Sequence, residues 1–174
     1  MGYTEGLDLD GLKQARLGPS AGALTRGGAM GASEQAKAIV RSFVEAANER
    51  DYDALEAIVS PSFERHCQAT PDVVVRNFED FRRFLERDVE TFPDARVTLE
   101  TLVAEGNLVA FWATLTGTQS GAMGPYPPSG KRAEVEFGGI FRIEAGRITQ
   151  LRLTWDNMAL LAQLGHFPLP SAPG

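Results

Sequence analysis

Three polar side chains of this sequence could carry acid–base chemistry next to apolar residues. An imidazole titrates near neutral pH, so His66 could act as an acid or a base beside a ligand carbonyl. Asp156 follows the last predicted strand, where Trp155 could desolvate it and raise its basicity. Gln119 can both donate and accept a hydrogen bond, so it could orient a carbonyl or a water molecule. These three are the candidate catalytic residues.

Each candidate also has a structural interpretation. Asp156 immediately precedes a predicted helix over 157–164, and as the N-cap it would accept backbone N–H bonds and be a weaker base. His66 could instead be a partly buried side chain bonded to a loop carbonyl. Its neighbour Arg65 is interpreted as half of a surface ion pair or as a partner for an acidic ligand. Cys67 is interpreted as a small buried side chain.

A second set of residues is predicted to bind a hydrophobic ligand. Successive strand side chains alternate between faces, so the strands over 133–143 and 148–155 each present one apolar face and predict an interior without an ionisable group. The two tryptophans could flank a planar ligand or belong to the core. Gly139 could leave space beneath a flat ring or mark a bend in the sheet. The candidate substrate-binding residues are Trp112, Tyr126, Phe137, Gly139, Leu153 and Trp155.

Helices precede strands along the chain. Apolar residues at helical spacing predict an amphipathic helix from Ser33, a short helix capped by Asp53 and a third helix over 77–91. Four strands follow, over 97–104, 108–118, 133–143 and 148–155, with short glycine-containing turns at the first and last connections. The pattern predicts an α+β domain in which three N-terminal helices pack on a curved antiparallel sheet, with a short C-terminal helix.

Composition narrows the class of protein. Residues 1–32 are predicted to be a flexible N-terminal arm, 33–167 the domain and 168–174 an extended tail. The net charge of −6 disfavours nucleic-acid binding. One cysteine and two histidines disfavour a zinc site, and no apolar run is long enough for a membrane span. We expect a cytoplasmic protein without a metal.

Five fragments, in the right order and spacing, carry a resemblance to a known family: Phe92-Pro-Asp94, Gly117-Thr-Gln-Ser-Gly121, Pro127-Pro-Ser-Gly130, Phe141-Arg-Ile-Glu-Ala-Gly-Arg-Ile148 and Leu160-Leu-Ala-Gln-Leu-Gly165. From Glu34 to Gly165 the chain resembles the SnoaL-like polyketide cyclases, a branch of the nuclear-transport-factor-two-like superfamily. The resemblance implies a cone-shaped barrel around an apolar pocket, and a homodimer formed through the outer face of the sheet.

The family's cyclases close a ring by an intramolecular aldol reaction without metal or cofactor, using an acidic residue in the last strand. In this sequence the acid's position falls on Leu153, and the position of its polar helper falls on Gly139. A third position, often His in the family, is Gln119. The expected cyclase residues are thus replaced at all three positions.

Three hypotheses remain open from the sequence. The first is a cofactor-independent enzyme of natural-product biosynthesis that cyclises, isomerises or opens an epoxide in a polyketide- or terpenoid-like substrate. The second is a non-catalytic protein that binds a small molecule after losing the family's acid. The third is an accessory protein that docks on another enzyme through the arm 1–32.

Overall fold

The computed structural model describes residues 26–167; segments 1–25 and 168–174, assigned above to the arm and the tail, lie outside the described residues. The described chain forms four helices, α1 (Arg26–Glu49), α2 (Tyr52–Ile58), α3 (Phe78–Thr91) and α4 (Asn157–Leu164). Its strands are β1 (Val59–Cys67), β2 (Arg96–Glu105), β3 (Leu108–Thr118), β4 (Arg132–Glu144) and β5 (Arg147–Trp155). Helix α1 begins at Arg26 rather than at the predicted Ser33, so part of the predicted arm is helical.

The five strands form one sheet in the order β1-β5-β4-β3-β2. The predicted meander is confirmed, because β2, β3, β4 and β5 pair successively in antiparallel fashion. Strand β1, which lies outside the predicted meander, pairs in parallel with β5, so the sheet as a whole is mixed. Parallel neighbours need a long connection, and here α3 and three strands separate the two along the chain.

The sheet is open, so the predicted barrel does not close. Its β1 edge is partly covered by the segment that follows β1, because the Arg65 N–H donates to the Val75 carbonyl oxygen at 3.2 Å. Register shifts mark bulges at Glu100 in β2 and at Thr149 in β5, and bulges bend strands. The helices pack on this bent sheet and complete a cone.

Turns and caps follow from local sequence. Gly106 (φ 58°) and Gly146 (φ 76°) take left-handed conformations in the two predicted hairpin turns. Helix α2 is capped by Asp51, whose carboxylate accepts from the Ala54 N–H, and not by the predicted Asp53. Both aspartates lie at the start of the same helix, so the sequence alone does not show which of them is the N-cap.

The interior is packed tightly at one end of the cone and loosely at the other. At the tight end, Phe63, Phe141 and Ile148 are fully buried against α1 and the start of α3. At the other end, side chains on the inner faces of α3, β4 and β5 are only half-buried: Phe84, Leu85, Asp88, Val89, Phe137, Leu153 and Trp155. This half-buried group is called the mouth of the cone below.

Candidate active site

Arg65 points into the cone. In β1 the side chains of Phe63, Arg65 and Cys67 alternate with the exposed Glu64 and His66, which places the guanidinium on the inner face. Arg65 is 5% exposed, so the interpretation as a surface ion pair is wrong. Burial lowers the pKa of Arg65, opposed by Cys67 and Asp88. A guanidinium stays charged even so, and a full positive charge lies in the interior.

Asp88 is the second ionisable group of the interior. It lies four residues after Phe84 and seven after Phe81 on α3, the spacing that puts all three on one helix face. Burial raises the pKa of Asp88, and the nearby charge of Arg65 only partly opposes that shift. The expectation of an interior without an ionisable group is therefore wrong.

Both residues could have been found in the sequence. Arg65 occupies an apolar position in the alternation of β1, and Asp88 interrupts the apolar stripe of α3. The inner faces of β4 and β5 are indeed apolar. The ionisable groups come from β1, at the edge of the same sheet, and from α3, which packs on β1.

Aromatic rings surround the Arg65 guanidinium. Its Cζ atom lies 4.4 Å from the centre of the Phe84 ring and 5.9 Å from the Trp155 ring, as in cation–π pairs. Two buried donors in this region, Arg65 Nη1 and Trp155 Nε1, have no hydrogen-bond partner within the described part of the chain. Buried donors are nearly always paired, so these two are exceptions among the described residues.

The predicted substrate-binding residues divide between the two faces of the sheet. Phe137, Leu153 and Trp155 lie on the inner face at the mouth. Gly139 also faces inward, but a side chain there would come within 2.9 Å of the Phe111 ring. Phe111 thus fills the space that was expected to receive a flat ligand.

Trp112 and His66 lie on the outer face. The Trp112 ring covers Gly138 and is 46% exposed, so the two tryptophans are on opposite faces and do not flank one ligand. The His66 ring contacts the Glu64 carboxylate at 3.1 Å. A groove of about 730 Å³ runs along this outer face past Ile140.

Asp156 and Gln119 are engaged in local structure. Asp156 caps α4 by accepting from the Ala159 N–H at 3.0 Å. The fully buried Gln119 amide donates to the carbonyl oxygens of Gly121 (3.2 Å) and Pro127 (3.1 Å). Its oxygen accepts from the His166 ring at 2.7 Å.

Tyr126 stacks on His166 with ring centres 5.0 Å apart, so the loop 119–131 is tied to the end of α4. The structure does not bring His66, Asp156 and Gln119 together around one ligand position.

Two further classes of site are absent from residues 26–167. No three His, Cys, Asp or Glu side chains are arranged there to hold a metal ion. None of the described helices is long and apolar enough to cross a membrane.

Comparison with known proteins identifies the family of this chain. The profile of the SnoaL-like polyketide cyclases matches residues 37–164. The chain belongs to the SnoaL-like polyketide cyclase family. No curated protein matches the chain by sequence.

Solved structures of SnoaL-like and related proteins share the fold. TsrD from Streptomyces laurentii is 30% identical, with a TM-score of 0.69 over 77% of this chain and 97% of TsrD. IdmH from Streptomyces antibioticus, a proposed polyketide cyclase, is 28% identical, with a TM-score of 0.68 over 75% of this chain and 99% of IdmH. An epoxide hydrolase of the LEH-like type from M. tuberculosis, 19% identical, has a TM-score of 0.63 over 76% of this chain and 91% of that protein. That last likeness concerns the fold alone.

Proposed function

We propose that this SnoaL-like protein is a cofactor-independent enzyme that promotes acid–base cyclisation, isomerisation or epoxide opening of a hydrophobic polyketide- or terpenoid-like substrate. The observation that carries the proposal is Asp88, a carboxyl group with a raised pKa on the apolar inner face of α3. A carboxyl group whose pKa moves toward the working pH can both give and take a proton during turnover.

The mouth of the cone supplies the surroundings that this chemistry needs. Phe84, Phe137, Leu153 and Trp155 offer apolar surface for a hydrophobic molecule. Partial burial reduces the contact of Asp88 with water, which strengthens electrostatic effects on the proton transfer. Arg65 interacts with Asp88 and limits how far the pKa of that carboxyl group rises, which keeps the carboxylate form accessible.

In an aldol closure, Asp88 alone removes the proton from the substrate and later returns it. The Asp88 carboxylate removes a proton from the carbon next to a carbonyl group, and the resulting enolate carbon attacks a second carbonyl carbon of the same molecule. A carbon–carbon bond forms, and the alkoxide oxygen takes the proton back from Asp88. The carboxylate is regenerated, so no external acid, base or oxidant is consumed.

In this proposal the catalytic carboxyl group lies on helix α3 and not on the last strand, where the family's cyclases carry it. The last-strand position of the acid is Leu153, which packs against the core of the cone. Asp88 reaches the interior from α3, on the opposite wall. A fold can keep its pocket while the reacting group moves to another element.

Substitution of the carboxyl group tests the proposal directly. Two probes would be offered to the purified protein: a linear aryl poly-β-ketone that can close by aldol addition, and styrene oxide. We expect Asp88→Asn to lower kcat on the accepted probe by about 10²-fold or more, the contribution typical of general acid–base catalysis. The matched control is Glu90→Gln, which removes an exposed carboxylate from the same helix. Full turnover by Asp88→Asn would remove Asp88 from the mechanism.

A second candidate function is ligand binding without catalysis. The observation that favours it is the apolar inner face of β4 and β5, where Gly139 and Leu153 replace polar family positions. Tight binding of the ketone probe without product, at protein concentrations comparable to substrate, would support this alternative over the enzyme.

A further inference from the structure

Two buried hydrogen-bond donors lie at the mouth of the cone. Arg65 Nη1 and Trp155 Nε1 are both buried and have no partner among the described residues. Arg65 as a whole is 5% exposed, so solvent does not satisfy its charge. Leaving a buried charged donor unpaired costs more than leaving a neutral one, which makes the guanidinium the dominant recognition element.

The two donors lie on neighbouring strands of the sheet. Arg65 and Trp155 extend from the inner faces of β1 and β5, which pair in parallel, and the Arg65 Cζ atom is 5.9 Å from the indole ring. A carboxylate matches the planar guanidinium, and its second oxygen offers an acceptor to a neighbouring donor such as Trp155 Nε1.

The charge balance of the mouth decides between a neutral and an anionic group. The titratable side chains around the guanidinium are Asp88 from α3 and Cys67 from β1. β4 and β5 contribute only uncharged side chains to the inner face of the mouth, Phe137, Leu153 and Trp155. Whenever Asp88 is protonated, the positive charge of Arg65 has no counter-charge inside the mouth. An anionic ligand group supplies one.

We infer that the substrate of the proposed enzyme carries a carboxylate on an apolar, ring-bearing body, and that Arg65 and Trp155 bind this carboxylate. That the ligand is a substrate rests on the proposed function, but the binding site itself does not depend on turnover. Phe84, stacked 4.4 Å from the guanidinium, lies where it can contact the ring that bears the carboxylate.

Binding of a matched pair of small molecules tests the inference. The probes are 2-naphthoate and its neutral isostere 2-naphthamide, measured by isothermal titration calorimetry with the full chain. We expect the native protein to bind 2-naphthoate about tenfold more tightly or better, as charge-assisted hydrogen bonds provide. Equal affinity for the two probes, or no binding of either, would overturn the inference.

Two substitutions test whether Trp155 Nε1 and the Arg65 guanidinium cause the preference for 2-naphthoate. Trp155→Phe keeps the ring but removes Nε1, and we expect it to weaken 2-naphthoate binding about fivefold with little effect on 2-naphthamide. Its control is Trp112→Phe, on the outer face. Arg65→Met should abolish the preference for the anion, while Arg152→Met, an exposed arginine of β5, should retain it. If Arg65→Met does not fold, Trp155→Phe still decides, and an unchanged preference in Trp155→Phe would remove the indole from the site.

The same probes separate this inference from the proposed function. Asp88→Asn should keep the preference for 2-naphthoate even though turnover is lost. A preference for the anion together with full turnover by Asp88→Asn would leave the carboxylate site standing and refute Asp88 as the catalyst. Loss of turnover in Asp88→Asn, together with equal affinity for 2-naphthoate and 2-naphthamide, would support Asp88 as the catalyst and refute the carboxylate site.

Discussion

At the scale of single residues, Asp88 and Arg65 illustrate how an apolar interior changes ionisable groups. Desolvation favours the neutral form of each, so burial raises the pKa of Asp88 and lowers the pKa of Arg65. Their mutual attraction opposes both shifts. In contrast, the exposed Asp94 accepts two hydrogen bonds from Thr118, which lower the pKa of that carboxyl group. Environment, and not residue type, sets what each carboxyl group can do.

The raised pKa of Asp88 predicts a cost to stability at neutral pH. Between the ordinary Asp pKa of about 4 and the raised value in the folded chain, the folded state binds more protons than the unfolded state. The free energy of unfolding therefore falls as pH rises through this window. Asp88→Asn cannot ionise, so we expect it to be more stable than the native chain at pH 7 and to lose that advantage below about pH 4.

Urea unfolding at a series of pH values measures this difference, with Glu90→Gln as the control that should follow the native chain. A variant Asp88→Asn that is less stable than the native chain at pH 7 would show that the ionised Arg65–Asp88 pair stabilises the fold.

At the scale of elements, the junction of β5 and α4 is held by its cap. Asp156 accepts the Ala159 N–H, and Gly165 (φ 80°) ends the helix in the left-handed conformation that glycine adopts without strain. Leu160 and Leu164 then pack against Phe92 and Val135 in a second apolar cluster. The cap therefore positions the helix next to Trp155 at the mouth.

Two substitutions of Asp156 separate capping from catalysis. Asp156→Ala removes the cap oxygen and should cost about 1 kcal/mol of stability. Asp156→Asn keeps a cap oxygen but removes the carboxylate, so we expect near-native stability and unchanged turnover of the accepted probe. Thermal unfolding and kcat measured on the same samples give both results. A large loss of kcat in a stable Asp156→Asn would restore the predicted catalytic role of Asp156.

At the scale of the whole molecule, the outer face of the sheet exposes large apolar side chains. Trp112 (46% exposed) and Ile140 (44% exposed) lie there, on the neighbouring strands β3 and β4, beside the groove along β1. Exposed large apolar residues next to one another favour association. We propose that a second copy of this chain covers them, which agrees with the homodimer implied by the sequence resemblance.

A charge placed on this face tests the dimer. Ile140→Lys should convert a dimer into a monomer, because association would bury an unpaired charge. Size-exclusion chromatography with light scattering measures the mass. The matched control is Met158→Lys, a half-exposed apolar residue of α4 away from the sheet, which should stay dimeric. A native chain that runs as a monomer at all accessible concentrations would contradict the proposal.

Local patterns in the sequence determined the elements and the family of this protein. Alternation predicted the apolar inner faces of β4 and β5, glycine turns predicted the hairpins, and helical spacing predicted α3. These features depend on neighbours a few residues apart, which a sequence displays directly.

The tertiary structure decided the partner of β1 and the composition of the site. Residues 65 and 88 belong to different elements, and only the packing of α3 on β1 brings Asp88 near the Arg65 guanidinium. The same packing leaves Trp112 and Trp155 on opposite faces of the sheet, although both looked suitable for a ligand. The proximity of the two groups, and its effect on their pKa values, arises from contacts between distant segments, so it could not be predicted from local spacing.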